Sequence, residues 1–343
     1  MNQKRTVSQT PVTPYTEIVP DGAAAIYGIT RAGCPHTGGK RCSVKKVIQN
    51  IRRHPMVHIM VIPVVAYYLI FHYLPMYGVL IAFQNFVPSR SLWDNQWVGL
   101  MHFKDFFSDI YFTRLIKNTL SINIGLLLVG FPMPILFALM LNEVKSKRFK
   151  GFTQTVTYMP HFISSVVLCG IVVNFCKSTG LITYILTLFG FPKTNLLIVP
   201  SMFKPIFVGM NIWQNLGWDS IIYLAALSGI DPTLYEAADV DGAGRFSKMW
   251  NITLPGIAPT IVMLLILRIG RLMSLGWEQI ILLYNPMIYE TADVISTYVY
   301  RRGLIQFDYS FAAAVGLFNS VINLILLISA NYISRRVNET SLW

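Results

Sequence analysis

The chain has 343 residues, 54% of them hydrophobic and only 13% charged, with a formal net charge of +12. A water-soluble domain carries about a quarter charged residues, so this composition excludes an ordinary soluble globular protein. The positive excess sits mostly beside long apolar stretches, where it suits an anionic membrane leaflet, and gives no reason to expect a nucleic-acid partner.

Residues 1–54 come first, a polar segment with Pro11, Pro14, Pro20 and Pro35 and no hydrophobic period. It lacks the apolar core of a cleaved signal peptide. It reads as a cytoplasmic, basic, largely disordered tail whose stretch from Lys40 to Arg53 rests on membrane lipid. Cys34-Pro35-His36 and Cys42 match no standard zinc spacing and have no evident fourth ligand. Thr37-Gly38-Gly39-Lys40-Arg41 resembles the end of a phosphate loop, but Arg41 stands where Ser or Thr is required. Neither a metal nor another cofactor is expected.

Residues 55–343 form the second region. No Asp, Glu, Lys or Arg occurs between Arg53 and Arg90, Lys117 and Glu143, Lys150 and Lys177, or Asp308 and Arg335. Each gap exceeds the roughly 20 residues that a helix needs to cross the hydrocarbon core. Two further apolar runs are interrupted. Residues 202–229 contain Asp219 with Lys204 at the edge, and residues 256–283 contain Arg268, Arg271 and Glu278. The expected fold is therefore an all-α integral membrane protein with six spans, at 57–83, 118–142, 153–176, 202–229, 256–283 and 309–334. The charge-free run 178–192 is too short to cross and reads as an interfacial or re-entrant helix. Pro132 and Pro134, in Gly130-Phe131-Pro132-Met133-Pro134, predict a kink in the second span.

With the N-terminus placed inside, 17 Lys and Arg residues fall in cytoplasmic segments and 8 in external ones. This bias predicts cytoplasmic termini in a multi-pass protein of the bacterial cytoplasmic membrane. Residues 230–256 then form a cytoplasmic loop. Asp231-Pro232 suits a helix start, since Asp caps free amides and Pro fits the first helical position. A short helix over 233–240 follows, then a hinge at Gly242 and Gly244, and a second helical piece over 245–251.

In that loop Glu236, Ala237 and Ala238 are followed by Gly242 and then by Ile252, Leu254 and Pro255. The pattern resembles the coupling loop of permease subunits in bacterial binding-protein-dependent ABC importers. Trp97-Val98-Gly99-Leu100 with Phe103, Gly130-Phe131-Pro132, Leu141-Asn142-Glu143-Val144 and Leu283-Tyr284-Asn285-Pro286 resemble the carbohydrate branch, of oligosaccharide or polysaccharide type. The resemblance covers roughly residues 55–340. It implies a type I importer fold and a non-catalytic subunit forming half of the pathway. The implied partners are a second permease, ATPase subunits that hydrolyse ATP, an external solute-binding protein and a carbohydrate. It also implies that Glu236 pairs with a basic residue of the ATPase.

Polar residues within a span face the bundle interior or a water-filled cavity. Candidates for a sugar pathway are Asn211, Trp213, Gln214, Asn215, Trp218, Asp219 and Tyr223 in the fourth span, Arg271 in the fifth, and Asn319 and Asn323 in the sixth. Asp219 and Arg268 lie at similar depths, each about 18 Å from the loop at ~1.5 Å per residue, and are expected to pair. Arg268 and Arg271, three apart on one helical face, suit an acidic oligosaccharide. The competing reading is an ion-coupled secondary transporter, which would show paired repeats with interrupted helices. A membrane-embedded enzyme has no support, because the six histidines form no reactive set.

Overall fold

The computed structural model describes residues 55–338 and Leu342. The tail at 1–54, with its basic stretch and its cysteines, lies outside the described residues. The chain divides into two compact units, 1–67 and 68–343. Residues 55–67 of the first are helical, within α1 (Pro55–Tyr68). The second unit holds everything that follows.

Leu69–Tyr73 form a π-helical turn and Leu74–Phe83 a 3-10 stretch, which packs along the last helix. A two-residue antiparallel pair, β1 (Gln84–Asn85) and β2 (Gln96–Trp97), precedes α2 (Met101–Ser108). Next come α3 (Phe112–Gly125) and α4 (Pro132–Glu143), joined through a π-helical turn at Leu126–Gly130. The widened turn absorbs the amide that Pro132 lacks, so the expected kink is met by a local change of helical pitch.

Two expected spans are broken. Residues 153–176 were expected to be continuous, but α5 (Lys147–Tyr158) gives way to a 3-10 turn at Met159–Phe162 before α6 (Ser165–Cys176). Pro160 interrupts the helical bonding, and the Ser164 hydroxyl accepts from the Val167 amide to start α6 afresh. α7 (Leu181–Leu188) is the short helix expected at 178–192, and it ends at Gly190. The fourth span is α8 (Pro200–Ser228), 29 residues and so about 43 Å long. The loop helices α9 (Pro232–Val240) and α10 (Arg245–Lys248) lead through a π-helical turn at Met249–Thr253 into α11 (Leu254–Ile269). α11 stops well short of residue 283. A turn over 270–276 separates it from α12 (Trp277–Leu283). α13 (Tyr289–Ala292), α14 (Ile295–Tyr300) and α15 (Tyr309–Asn338) complete the chain.

Five stretches among the described residues are long and apolar enough to cross a membrane: Ile59–Phe83, Phe112–Glu143, Ser165–Leu188, Arg245–Ile269 and Tyr309–Arg336. α8 matches them in length but carries Asn211, Gln214, Asn215 and Asp219 along its middle.

Packing separates the two ends of the second unit. At the loop end, Ile135, Ala138 and Leu139 of α4 meet Tyr223 and Leu227 of α8 and Ile257 of α11. At the opposite end a larger cluster joins α3, α6, α8 and α12 through Ile122, Leu168, Phe203, Phe207 and Ile280. A further cluster around Phe106, Leu115, Tyr298 and Phe311 binds α2, α3, α14 and α15. One contact fixes how closely α5 approaches α8. A Cβ on Gly217 would stand 2.3 Å from the Thr157 carbonyl oxygen, so no larger residue fits there.

Candidate functional site

Three features come together around α8: a polar cavity in the middle, the loop at one end, and a charged network at the other. The cavity lies between α4, α8 and α11. One part, of about 300 Å3, is lined by Gly130, Phe131, Pro134, Asp219, Tyr223, Leu264, Leu267, Arg268 and Arg271. An adjoining part, of about 460 Å3, is lined by Asn123, Leu126, Asn211, Arg268, Arg271, Ser274, Leu275 and Gly276. Arg268 and Arg271 face both. Asn211, Asn215 and Asp219, four residues apart on α8, form one helical stripe along the wall.

Asp219 and Arg268 therefore share a cavity, as their depths suggested, but they make no contact ion pair among the described residues. The expectation assumed that both were taken out of solvent. Both side chains instead line the cavity and stay partly open to it, so each can meet the cavity's contents without a contact partner. Arg271 is likewise exposed.

The remaining pathway candidates divide. Gln214 is buried in an amide chain, accepting from Gln279 Nε2 at 2.9 Å, while Asn211 Nδ2 reaches Gln279 Oε1 at 3.4 Å. Trp218 lies flat on His161, with ring centroids 4.4 Å apart and 3° between planes. His161 Nδ1 is 3.2 Å from Asn215 Oδ1. Trp213 faces a separate apolar cavity of about 430 Å3 between α6, α7 and α8. Asn323 is held by the fold beside the cavity. Its oxygen accepts from the Met273 amide at 3.0 Å, and its nitrogen donates to Ser274 Oγ at 2.8 Å, which holds the 270–276 turn. Asn319 does not line the polar cavity, and its buried carbonyl oxygen has no partner among the described residues.

The loop starts as its sequence suggested. Asp231 Oδ1 accepts from the Thr233 amide at 2.9 Å, and that bond holds the Asp231 carboxyl below the usual carboxylate range. α9 ends where Gly242 takes φ 72°, a left-handed conformation that suits glycine. The Ala243 amide reaches back to the Ala238 carbonyl at 2.9 Å to close the helix end. Glu236 and Ala237 are exposed and Ala238 half-buried. Glu236 has no contact partner among the described residues. Asp239, which sequence alone leaves as a solvated charge, bonds to Lys248 across the hinge. Tyr235 and Thr253 hydroxyls lie 3.0 Å apart, a second tie from α9 to the base of α11. Leu254 packs in the loop-end cluster with Met249 and Ile230, and Phe131, Tyr223 and Leu264 of that cluster also line the cavity. Ile252 is half-buried and Pro255 occupies the first turn of α11.

At the opposite end Asp293 is fully buried. Arg301 donates to both its oxygens, at 3.2 and 2.7 Å, and Arg114 approaches at 3.4 Å. Thr297 Oγ1 adds a bond of 2.8 Å. Burial alone would lower the affinity of Arg301 for its proton, but Asp293 outweighs it and the net shift is upward. Tyr298 donates to Asp109; burial, reinforced by that carboxylate, pushes its phenol up to about 12.

Residues 130–339 match the family described as binding-protein-dependent transport system inner membrane component. Protein LplB of Bacillus subtilis (strain 168) is 44% identical over 294 residues, 85% of this chain and 92% of that protein. The polygalacturonan/rhamnogalacturonan transport system permease protein YteP of the same organism is 42% identical over 300 residues, 87% of this chain and 94% of that protein. Among solved structures, a chain of a bacterial alginate ABC transporter, in complex with an alginate pentasaccharide-bound periplasmic protein, superposes with a TM-score of 0.78. It is 45% identical and covers 86% of this chain and 99% of its own length.

Proposed function

Because this chain belongs to the family of binding-protein-dependent transport system inner membrane components, we propose that it is the permease subunit of an ATP-driven importer of acidic oligosaccharides. The permease hydrolyses nothing in this reading. It forms half of the pathway with a second permease, receives sugar from a solute-binding protein, and docks ATPase subunits through residues 230–256. Both termini are then cytoplasmic. The 17-to-8 charge bias supports that orientation.

One observation carries the substrate class. Arg268 and Arg271 face the cavity opposite a single carboxylate, Asp219, and no contact ion pair occupies either arginine among the described residues. A charge at mid-membrane costs on the order of 2.5–3.5 kcal/mol even on the translocon scale. A surplus cation is tolerable where water fills the cavity, and it becomes useful where an anion passes. The names of YteP and of the alginate transporter point to acidic polysaccharides for those proteins, in agreement with this charge balance. A secondary transporter would need no loop of this form, and the family assignment removes that alternative.

Movement reaches the cavity through contiguous packing. ATPase closure shifts α9, which is tied to the base of α11 by the Tyr235–Thr253 and Asp239–Lys248 contacts. The base of α11 presses on the cluster containing Tyr223 and Leu264, and these two residues form part of the cavity wall. Two states of the bundle, selected by the ATPase, then expose the site to alternate sides.

The test uses the complex reconstituted with its partners and supplied with uronate oligosaccharides or their carboxyl-reduced neutral analogues. Arg268→Gln combined with Arg271→Gln should lower uronate uptake by about tenfold or more, the effect of a lost charge-assisted contact. Neutral uptake should change far less. Equal losses for both series would contradict the acidic-substrate reading.

A further inference from the structure

We propose that Trp277 and Tyr300 form a second sugar-stacking subsite beside the cavity, for a further ring of an oligosaccharide already held at Arg268 and Arg271. The proposal rests on reading that cavity as the sugar pathway. The two rings lie 4.5 Å apart with 15° between their planes. They are not part of an apolar core: Trp277 is 40% exposed and Tyr300 half-buried. Among the described residues neither the indole N–H nor the Tyr300 hydroxyl has a hydrogen-bond partner. An exposed aromatic pair matches the chemistry of a pyranose ring, whose C–H face is apolar and stacks on a flat aromatic surface.

The chain places Trp277 next to the cavity lining, and Tyr300 stacks on it. Trp277 follows Gly276, which with Ser274 and Arg271 lines the part of about 460 Å3. Pockets of about 300–1,000 Å3 suit a single drug-sized ligand, so a longer oligosaccharide gains from a further surface beside this space. Both aromatics also stand on fixed supports. α12 is buried on its other side through Ile280 and Leu283, and Gln279 is held between Asn211 and Gln214. α14 is fixed by the Ile295 amide donating to Thr119 Oγ1 at 3.1 Å and by Thr297 donating to the buried Asp293. The 270–276 turn that presents Trp277 is held by Asn323. A rigid platform spends little ordering entropy when it meets its ligand.

Chain length is the variable that tests it. In proteoliposomes holding the whole complex, uptake is measured with saturating binding protein loaded with a uronate disaccharide or tetrasaccharide. Trp277→Leu keeps the apolar bulk and removes the flat face. It should lower tetrasaccharide uptake about tenfold and leave the disaccharide within about twofold. Trp277→Phe and Tyr300→Phe should keep both, which separates a stacking role from a packing one. Equal losses at both lengths, or no loss with Trp277→Leu, would overturn the subsite alone. A wild-type complex that imports neither uronate would overturn the pathway reading, and the subsite with it.

Discussion

The two ends of α8 are built on opposite principles. At the end near Asp293 the charges are satisfied within the chain: one buried carboxylate meets two arginines and a threonine, and large clusters fill the space around them. At the loop end several side chains of the loop itself point outward. Glu236 has no contact partner among the described residues, and Val240 and Phe246 are 89% and 83% exposed. Such apolar exposure on an ordered loop marks an unfilled interface. One end supports itself, whereas the other is finished only by a partner.

This contrast predicts which substitutions remove the protein and which remove only its work. The largest effect belongs to the self-supporting end. Asp293→Ala leaves Arg301 and Arg114 half-buried around an empty centre, a change that typically costs about 3–5 kcal/mol when one member of a buried ionic set is lost. Membrane abundance should collapse, and quantitative blotting of the membrane fraction measures it. Normal abundance would mean that this network is dispensable and would blur the contrast.

A small effect belongs to the loop's own folding. Asp231→Ala removes the cap of α9 and should loosen that helix locally, with abundance unchanged. Hydrogen exchange over 232–240 should rise while the clusters at the other end stay protected. The sign of the pH effect is fixed. The Asp231 carboxyl is held below its usual range, so the cap's contribution is full above the unfolded value near about 4 and fades as pH falls through the folded one. Protection of α9 that did not change in the variant would show that its contacts to α11, rather than its cap, hold it.

The same contrast explains what was legible in the sequence. Asp231-Pro232, the Glu236-Ala237-Ala238 run and Gly242 are local signals, and the cap and the left-handed turn appear where those residues predicted. The stripe Asn211, Asn215, Asp219 follows helical spacing and lines the cavity with Tyr223, Arg268 and Arg271. The break in the third span was not legible, because freedom from charge reports apolarity and not continuity, and the fifth span was drawn through its charges at Arg268, Arg271 and Glu278 as one helix. Pro160 and the pair Gly270 and Gly276 were the available signals. His161, which supports Trp218, sits on that first break and went unnoticed as a result. Asn323, expected beside the pathway, has its amide taken up by the turn at 273–274, and a sequence does not reveal which partner an amide finds.

Coupling through the loop is the central claim. Its most direct test reconstitutes the complex with Glu236→Lys or Gly242→Val and measures sugar uptake together with ATP hydrolysis stimulated by the binding protein. Glu236→Lys reverses the charge offered to the ATPase, and Gly242→Val places a β-branched residue at φ 72°. Normal membrane abundance is expected, with weaker retention of the ATPase subunits and loss of both uptake and stimulated hydrolysis. An acidic substitution at the contacting position of the ATPase should partly restore Glu236→Lys. Full uptake and full stimulation in both variants would contradict the account and leave residues 230–256 as a plain connector.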